Sequence, residues 1–111
     1  MSPETRRLLA GISTATATMQ LLKRGLRNCF IVGARPLNPD NCRFVAAAYT
    51  LRFIPMREDL SRVEVLGGPD YPPRKAVEDI PPGMALVIDA RGEPGAGVIG
   101  DILAARLQER G

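Results

Sequence analysis

Met84-Ala-Leu-Val-Ile-Asp89, then Ala-Arg-Gly-Glu-Pro-Gly-Ala-Gly97, then Val98-Ile-Gly-Asp-Ile-Leu-Ala-Ala-Arg-Leu-Gln-Glu-Arg-Gly111, is the stretch that decides how this chain folds. The unbroken apolar run ending at Asp89 predicts a central, buried strand, because strands covered on both faces lose the polar alternation of half-exposed ones. The glycines and Pro94 predict a loop. Beyond it, Val98, Ile99, Ile102, Leu103 and Leu107 recur at helical spacing. The expectation is a helix over 98–110 that packs on the sheet through Ile99, Ile102, Leu103 and Leu107, with Gly111 as its C-cap.

A helix start leaves backbone N–H groups unpaired at the positive end of the helix dipole. Gly100, Asp101, Ile102 and Leu103 therefore form a candidate anion site, and Asp101 is the candidate acid for chemistry there. The same residues also have a plain structural reading. Asp101 then only complements the dipole, and Gly95 and Gly97 only relieve a tight turn. Two nucleotide-binding patterns are excluded. No Lys follows the glycines, and they lack the register of a dinucleotide fingerprint.

Working outward, 111 residues with 45% hydrophobic content suit one core and a single domain over 1–111. The net charge of +3 rests on 13 Arg and 2 Lys interspersed with 12 acids. Direct nucleic-acid binding is not expected, since that needs cations clustered on one face, and an aromatic content of 5% without Trp offers little to stack on bases. The absence of His removes the Ser-His-Asp and Cys-His mechanisms, leaving carboxylates, arginines, backbone dipoles or an oxygen-ligated metal. Cys29 and Cys42 have no metal-like spacing and read as small buried thiols in a reducing compartment. No signal segment and no apolar run of spanning length is found, so a soluble cytoplasmic protein without membrane contact is expected.

Ser2-Pro3-Glu4 predicts a helix start, followed by a short helix ending by Gly11. Ser13 caps a second helix from Thr14 to Arg24, closed by Gly25. Thr14, Thr16 and Thr18 alternate as in a strand, but Ala15, Ala17, Met19, Leu21 and Leu22 favour the helix. Cys29-Phe-Ile-Val32 is short and apolar, and residues 33–41 read as a loop. The longest strand candidate runs over 43–54, with Tyr49, Leu51 and Phe53 on one face and Thr50 and Arg52 on the other. Residues 56–70 read as polar, with a break at Gly67-Gly68-Pro69-Asp70. One helical segment follows over 71–79, and Pro81-Pro82-Gly83 turns the chain into the strand at 84–89. Arg35 and Arg91 lie in loops beside strand ends where a carboxylate can be recognised, and Arg52 either pairs across the sheet or meets solvent; for each, a solvated or structural role is the stronger reading, since arginines are mostly exposed.

Taken in order, Ser13-Thr14-Ala15-Thr16, the Gly33-Ala-Arg-Pro-Leu37 loop, the Phe44-to-Ile54 strand, Met84-Ala-Leu-Val-Ile-Asp89 and Gly100-Asp101-Ile102-Leu103-Ala104 resemble the RraA-like family. That family joins regulators of ribonuclease E activity with metal-dependent 4-hydroxy-4-methyl-2-oxoglutarate aldolases. The resemblance implies an α/β fold, a swivelling-domain β/α layered arrangement built as trimers or hexamers. It implies a lyase that cleaves 4-hydroxy-2-oxo di- or tricarboxylic acids to release pyruvate, with Mg²⁺ or Mn²⁺ as cofactor. Gly100, Asp101, Ile102 and Leu103 would bind the substrate carboxylate, and Asp101 would act on a metal-bound water.

In the family an Arg-Asp pair one strand further on binds substrate and metal. The expectation is therefore a domain incomplete at its C-terminus, with the metal ligand beyond Gly111 and the 111 residues inactive by themselves. The alternative implied by the same resemblance is a non-catalytic regulator of ribonuclease E.

Overall fold

The computed structural model describes residues 1–95 and 97–111, and the chain divides into two compact units, Met1–Ala46 and Ala47–Gly111.

The first unit carries two helices, α1 (Pro3–Ala10) and α2 (Thr14–Lys23), and a single 3-10 turn at Pro39–Asn41. Both helices start as expected from local chemistry. The Ser2 and Ser13 hydroxyls accept the N–H groups of Thr5 and Thr16, each at 3.1 Å, and Pro3 occupies the first turn of α1. The threonines of α2 do not force a strand, because the Thr18 hydroxyl turns inward and reaches the carbonyls of Thr14 and Ala15 at 3.0 Å. Gly25, at φ 81°, ends α2. Its N–H donates to the Leu22 carbonyl and the Leu26 N–H to the Leu21 carbonyl, the two bonds of a Schellman turn. Arg43 returns to the first helix pair, donating to the Ala10 carbonyl at 2.8 Å and the Ile12 carbonyl at 3.4 Å. None of the described residues in this unit is buried. Cys29 and Cys42 are both exposed, which corrects the expectation of buried thiols: neither α2 nor the loop over 33–41 covers them.

The second unit is α/β. Strand β1 (Ala47–Arg52) pairs in parallel with β2 (Met84–Asp89), from Ala47 opposite Met84 to Arg52 opposite Asp89. Between them run a short helix α3 (Val63–Leu66) and α4 (Pro72–Asp79), and α5 (Asp101–Arg110) follows β2. The alternation read in β1 holds, with Tyr49, Leu51 and Phe53 half-buried and Thr50 and Arg52 exposed. Strand β2 is corrected. Among the described residues the sheet has two strands, so β2 is an edge rather than a centre, and residues 84–88 are half-buried. Residues 56–70, read as polar, contain α3, which ends at the break beginning with Gly67.

The buried residues lie on and just after α4: Pro73, Ala76, Val77 and Ile80, with Val77 only 1% exposed. Helix α5 packs near α4, but it begins at Asp101 rather than 98 and presents a different face from the one expected. Leu103 and Leu107 are half-buried, whereas Ile99 is exposed and Ile102 is 79% exposed. Arg106 clasps Glu78 of α4 with two bonds of 2.9 and 3.0 Å, and Arg110 donates to the Ile80 carbonyl at 3.3 Å, so these polar contacts tie α5 to α4.

Removing two methyl groups from Val77 leaves a void at the best-buried position of the unit. Val77→Ala should lower stability by about 2 kcal/mol, read as a fall in the urea midpoint at unchanged slope. Exposed Ile102→Ala should leave the midpoint unchanged. An equal loss at both positions would mean that the core is misplaced.

Candidate functional site

The carboxyl ends of parallel strands open onto the loop that leads to α5, the usual place for ligands on such sheets. The side chains there brace one another. Asp89 accepts from Arg52 Nε at 2.9 Å through Oδ2, and from the Arg91 backbone N–H at 2.9 Å through Oδ1. The Arg91 N–H first, and the Arg52 guanidinium with it, hold the Asp89 carboxyl below its ordinary range. Arg52 thus pairs across the sheet, one of the two alternatives left open by its place on the strand. The tight turn falls on Arg91 (φ 58°) and Gly92 (φ 72°), not on Gly95 or Gly97. Glu93 accepts the Gly95 N–H at 2.9 Å and closes a second small turn. Both acids of the loop therefore face backbone donors of the loop itself.

At the start of α5, Gly100 caps the helix without a side chain, in extended conformation at φ −99° and ψ 172°. The first intrahelical bond runs from the Ala104 N–H to the Gly100 carbonyl at 3.0 Å. The N–H groups of Asp101, Ile102 and Leu103 precede it. That of Ile102 donates to Asp101 Oδ1 at 2.9 Å, so the chain's own carboxylate already occupies one of the donors expected for a ligand. The N–H groups of Asp101 and Leu103 meet no acceptor among the described residues. The structure places Gly100, Asp101, Ile102 and Leu103 together at a helix start that lies three residues later than the sequence put it, with the first three exposed and Leu103 half-buried. Sequence and structure also differ over Ile102, whose N–H is engaged. Two free donors at a positive dipole end suit one small carboxylate or phosphate.

Among the described residues no group of three or more His, Cys, Asp or Glu stands close enough to hold a metal ion. Asp89 is taken by Arg52 and Arg91, and Asp101 by Ile102, so these donors do not fit Mg²⁺ or Mn²⁺, which need several free oxygen ligands.

The group that anchors this site is one the sequence reading did not single out. Glu78 receives Arg106 at 2.9 Å and Arg110 at 3.6 Å, and so ties α5 to α4. The signal was present in the spacing of Arg106 and Arg110, four residues apart on one helical face. The Gly83 N–H also donates to the Gly111 carbonyl at 2.6 Å, joining the end of α5 to the turn before β2. No protein-family model, curated protein or solved structure matches the chain. No helix among the described residues is long and apolar enough to cross a membrane.

The Arg106 hydrogen bond, with the charges of Arg106 and Arg110, holds the Glu78 carboxyl below its ordinary range. A carboxyl with a lowered folded value stabilises above its unfolded value and loses that contribution as pH falls through the folded one. The unit should therefore weaken in acid, from about pH 4.3 downward, seen as a falling urea midpoint. Glu78→Gln should start lower and show a flatter acid limb. An identical pH profile for both proteins would remove Glu78 from the account.

Proposed function

We propose that residues 100–103 hold the carboxylate of a small 2-oxo acid, as part of an RraA-like lyase site on a swivelling-domain β/α layered fold. The observation that carries this reading is the pair of unpartnered N–H groups, Asp101 and Leu103, flanking the Asp101 carboxylate at a side-chain-free helix cap. An incoming carboxylate displaces the Asp101 side chain from the Ile102 N–H and so completes a run of three donors. The displaced Asp101 carboxylate then stands beside the bound acid, where it serves as the base for an adjacent water. Cleavage of a 4-hydroxy-2-oxo acid leaves an enolate, which the same donors stabilise only at its carboxylate end. Stabilising the enolate oxygen is the work of a divalent ion in such lyases. The described residues do not fit that ion.

A second reading, an RraA-type regulator of a ribonuclease, is favoured by the exposed apolar side chains of Met1–Ala46, which suit a binding protein more than an enzyme.

Titration of pyruvate or oxalate into ¹⁵N-labelled protein tests the first reading. Amide shifts should concentrate at Asp101, Ile102 and Leu103. Asp101→Asn removes the competing charge and should tighten binding by about threefold. Shifts confined to other residues, or weaker binding in the variant, would end the proposal.

A further inference from the structure

Arg35 has no part in the packing described above or in the site at residues 100–103. It belongs to the first unit, where α2 and the chain after it line an open cavity of about 820 Å³. Small-molecule pockets span roughly 300–1,000 Å³ and combine a mostly apolar wall with a few polar groups that orient the ligand. Here the apolar wall includes Leu21, Phe30, Ile31, Leu37 and Phe44. The last four are at least 60% exposed, Leu37 completely so, and no described residue closes over them.

The polar groups gather on one stretch, with Arg35, Asn38 and Asn41 all in the lining. Among the described residues Arg35 is the only charge there, and its guanidinium pairs with no acid, Asp40 of the same loop included. The Asn38 side-chain oxygen accepts the Asp40 N–H at 3.2 Å, so what that side chain has left to offer is its two N–H donors. On α2 the Thr18 hydroxyl is spent on the carbonyls of Thr14 and Ala15. An arginine in a loop is ordinarily a solvated one. This one shares its cavity with uncovered aromatic and aliphatic side chains and with no negative charge.

We propose that the groove binds a monoanionic amphiphile, the carboxylate of a medium-chain fatty acid, with its head on Arg35 and its tail along Phe30, Ile31, Leu37 and Phe44. One guanidinium matches one carboxylate in charge and in its planar, bidentate geometry. A phosphate monoester brings nearly two charges and is left half neutralised. An acidic peptide brings backbone amides as well, for which the apolar wall has no partners. The site lies wholly within Met1–Ala46 and stands independently of the reading given for residues 100–103.

Calorimetric titration of decanoate, kept below its micelle concentration, into the full-length chain tests the proposal. Binding should be saturable at one per chain. Octanoate should bind roughly fivefold more weakly, because an open groove covers each of the two missing methylenes only in part. Decyltrimethylammonium, with the same tail and the opposite charge, should lose at least about tenfold, as should Arg35→Gln with decanoate. Leu37→Asp should abolish binding, and since Leu37 is fully exposed the fold does not depend on it. Arg57→Gln, in the second unit, should leave the affinity unchanged. Amide shifts should fall within residues 14–44, and pyruvate, which has no tail, should not displace decanoate. Unsaturable uptake, equal binding of the cationic amphiphile, or an affinity unmoved by Arg35→Gln and Leu37→Asp would each overturn the proposal. So would shifts confined to residues 47–111, displacement by pyruvate, or binding of anionic vesicles with none of free decanoate.

Discussion

Parallel pairing of β1 with β2 is the constraint from which the second unit follows. Two parallel strands cannot be joined by a tight turn, so the chain must travel back along their length before the second strand begins. Residues 53–83 make that journey and place α3 and α4 along it. Because α4 lies in the crossover, its apolar side chains Ala76 and Val77 are buried, with Ile80 just after it. Parallel register also sets Arg52 opposite Asp89 at the carboxyl ends of both strands, and the Phe53 N–H continues the ladder to the Asp89 carbonyl at 2.9 Å. The loop toward α5 therefore leaves from a braced point.

Polar contacts, rather than area, choose how α5 lies. Leu103 and Leu107 are half-buried, but a helix offers several rotations that would bury a pair of leucines to a similar extent. The bidentate bond from Arg106 to Glu78 has a fixed planar geometry, and the Arg110 guanidinium reaches the Ile80 carbonyl and Glu78 together. These groups are partly exposed, so each pair contributes little stability. Their effect is on orientation: they hold the C-terminal half of α5 against α4.

Asp101 satisfies part of the candidate site with its own side chain. Its carboxylate occupies the Ile102 N–H and offsets the dipole, so the helix start is already partly satisfied. On the proposed reading an anion would have to displace it, at a cost in affinity, and would leave a carboxylate next to the ligand. The same geometry serves a purely structural cap equally well. What distinguishes a binding site is the pair of donors, on Asp101 and Leu103, that the side chain does not reach.

Local chemistry was legible in the sequence wherever the deciding atoms lie within a few residues of one another. Ser2 and Ser13 as helix caps, Gly25 as a stop, and the alternation of Tyr49, Leu51 and Phe53 all rest on such short-range geometry. Apolar content alone could not tell which surfaces become covered. Pro73, Ala76, Val77 and Ile80 are separated by Arg74, Lys75, Glu78 and Asp79, so the buried face is masked by a charged composition. The apolar run Met84–Asp89 looked like a central strand, but it is half-buried because burial depends on how many neighbours a strand has, and β2 pairs with one. Ile102 has the right spacing for a core face yet stays 79% exposed, since no described residue covers the first turn of α5 on that side. Periodicity specifies that a helix has an apolar side, whereas the partners brought up by the fold decide which residues on it leave the solvent.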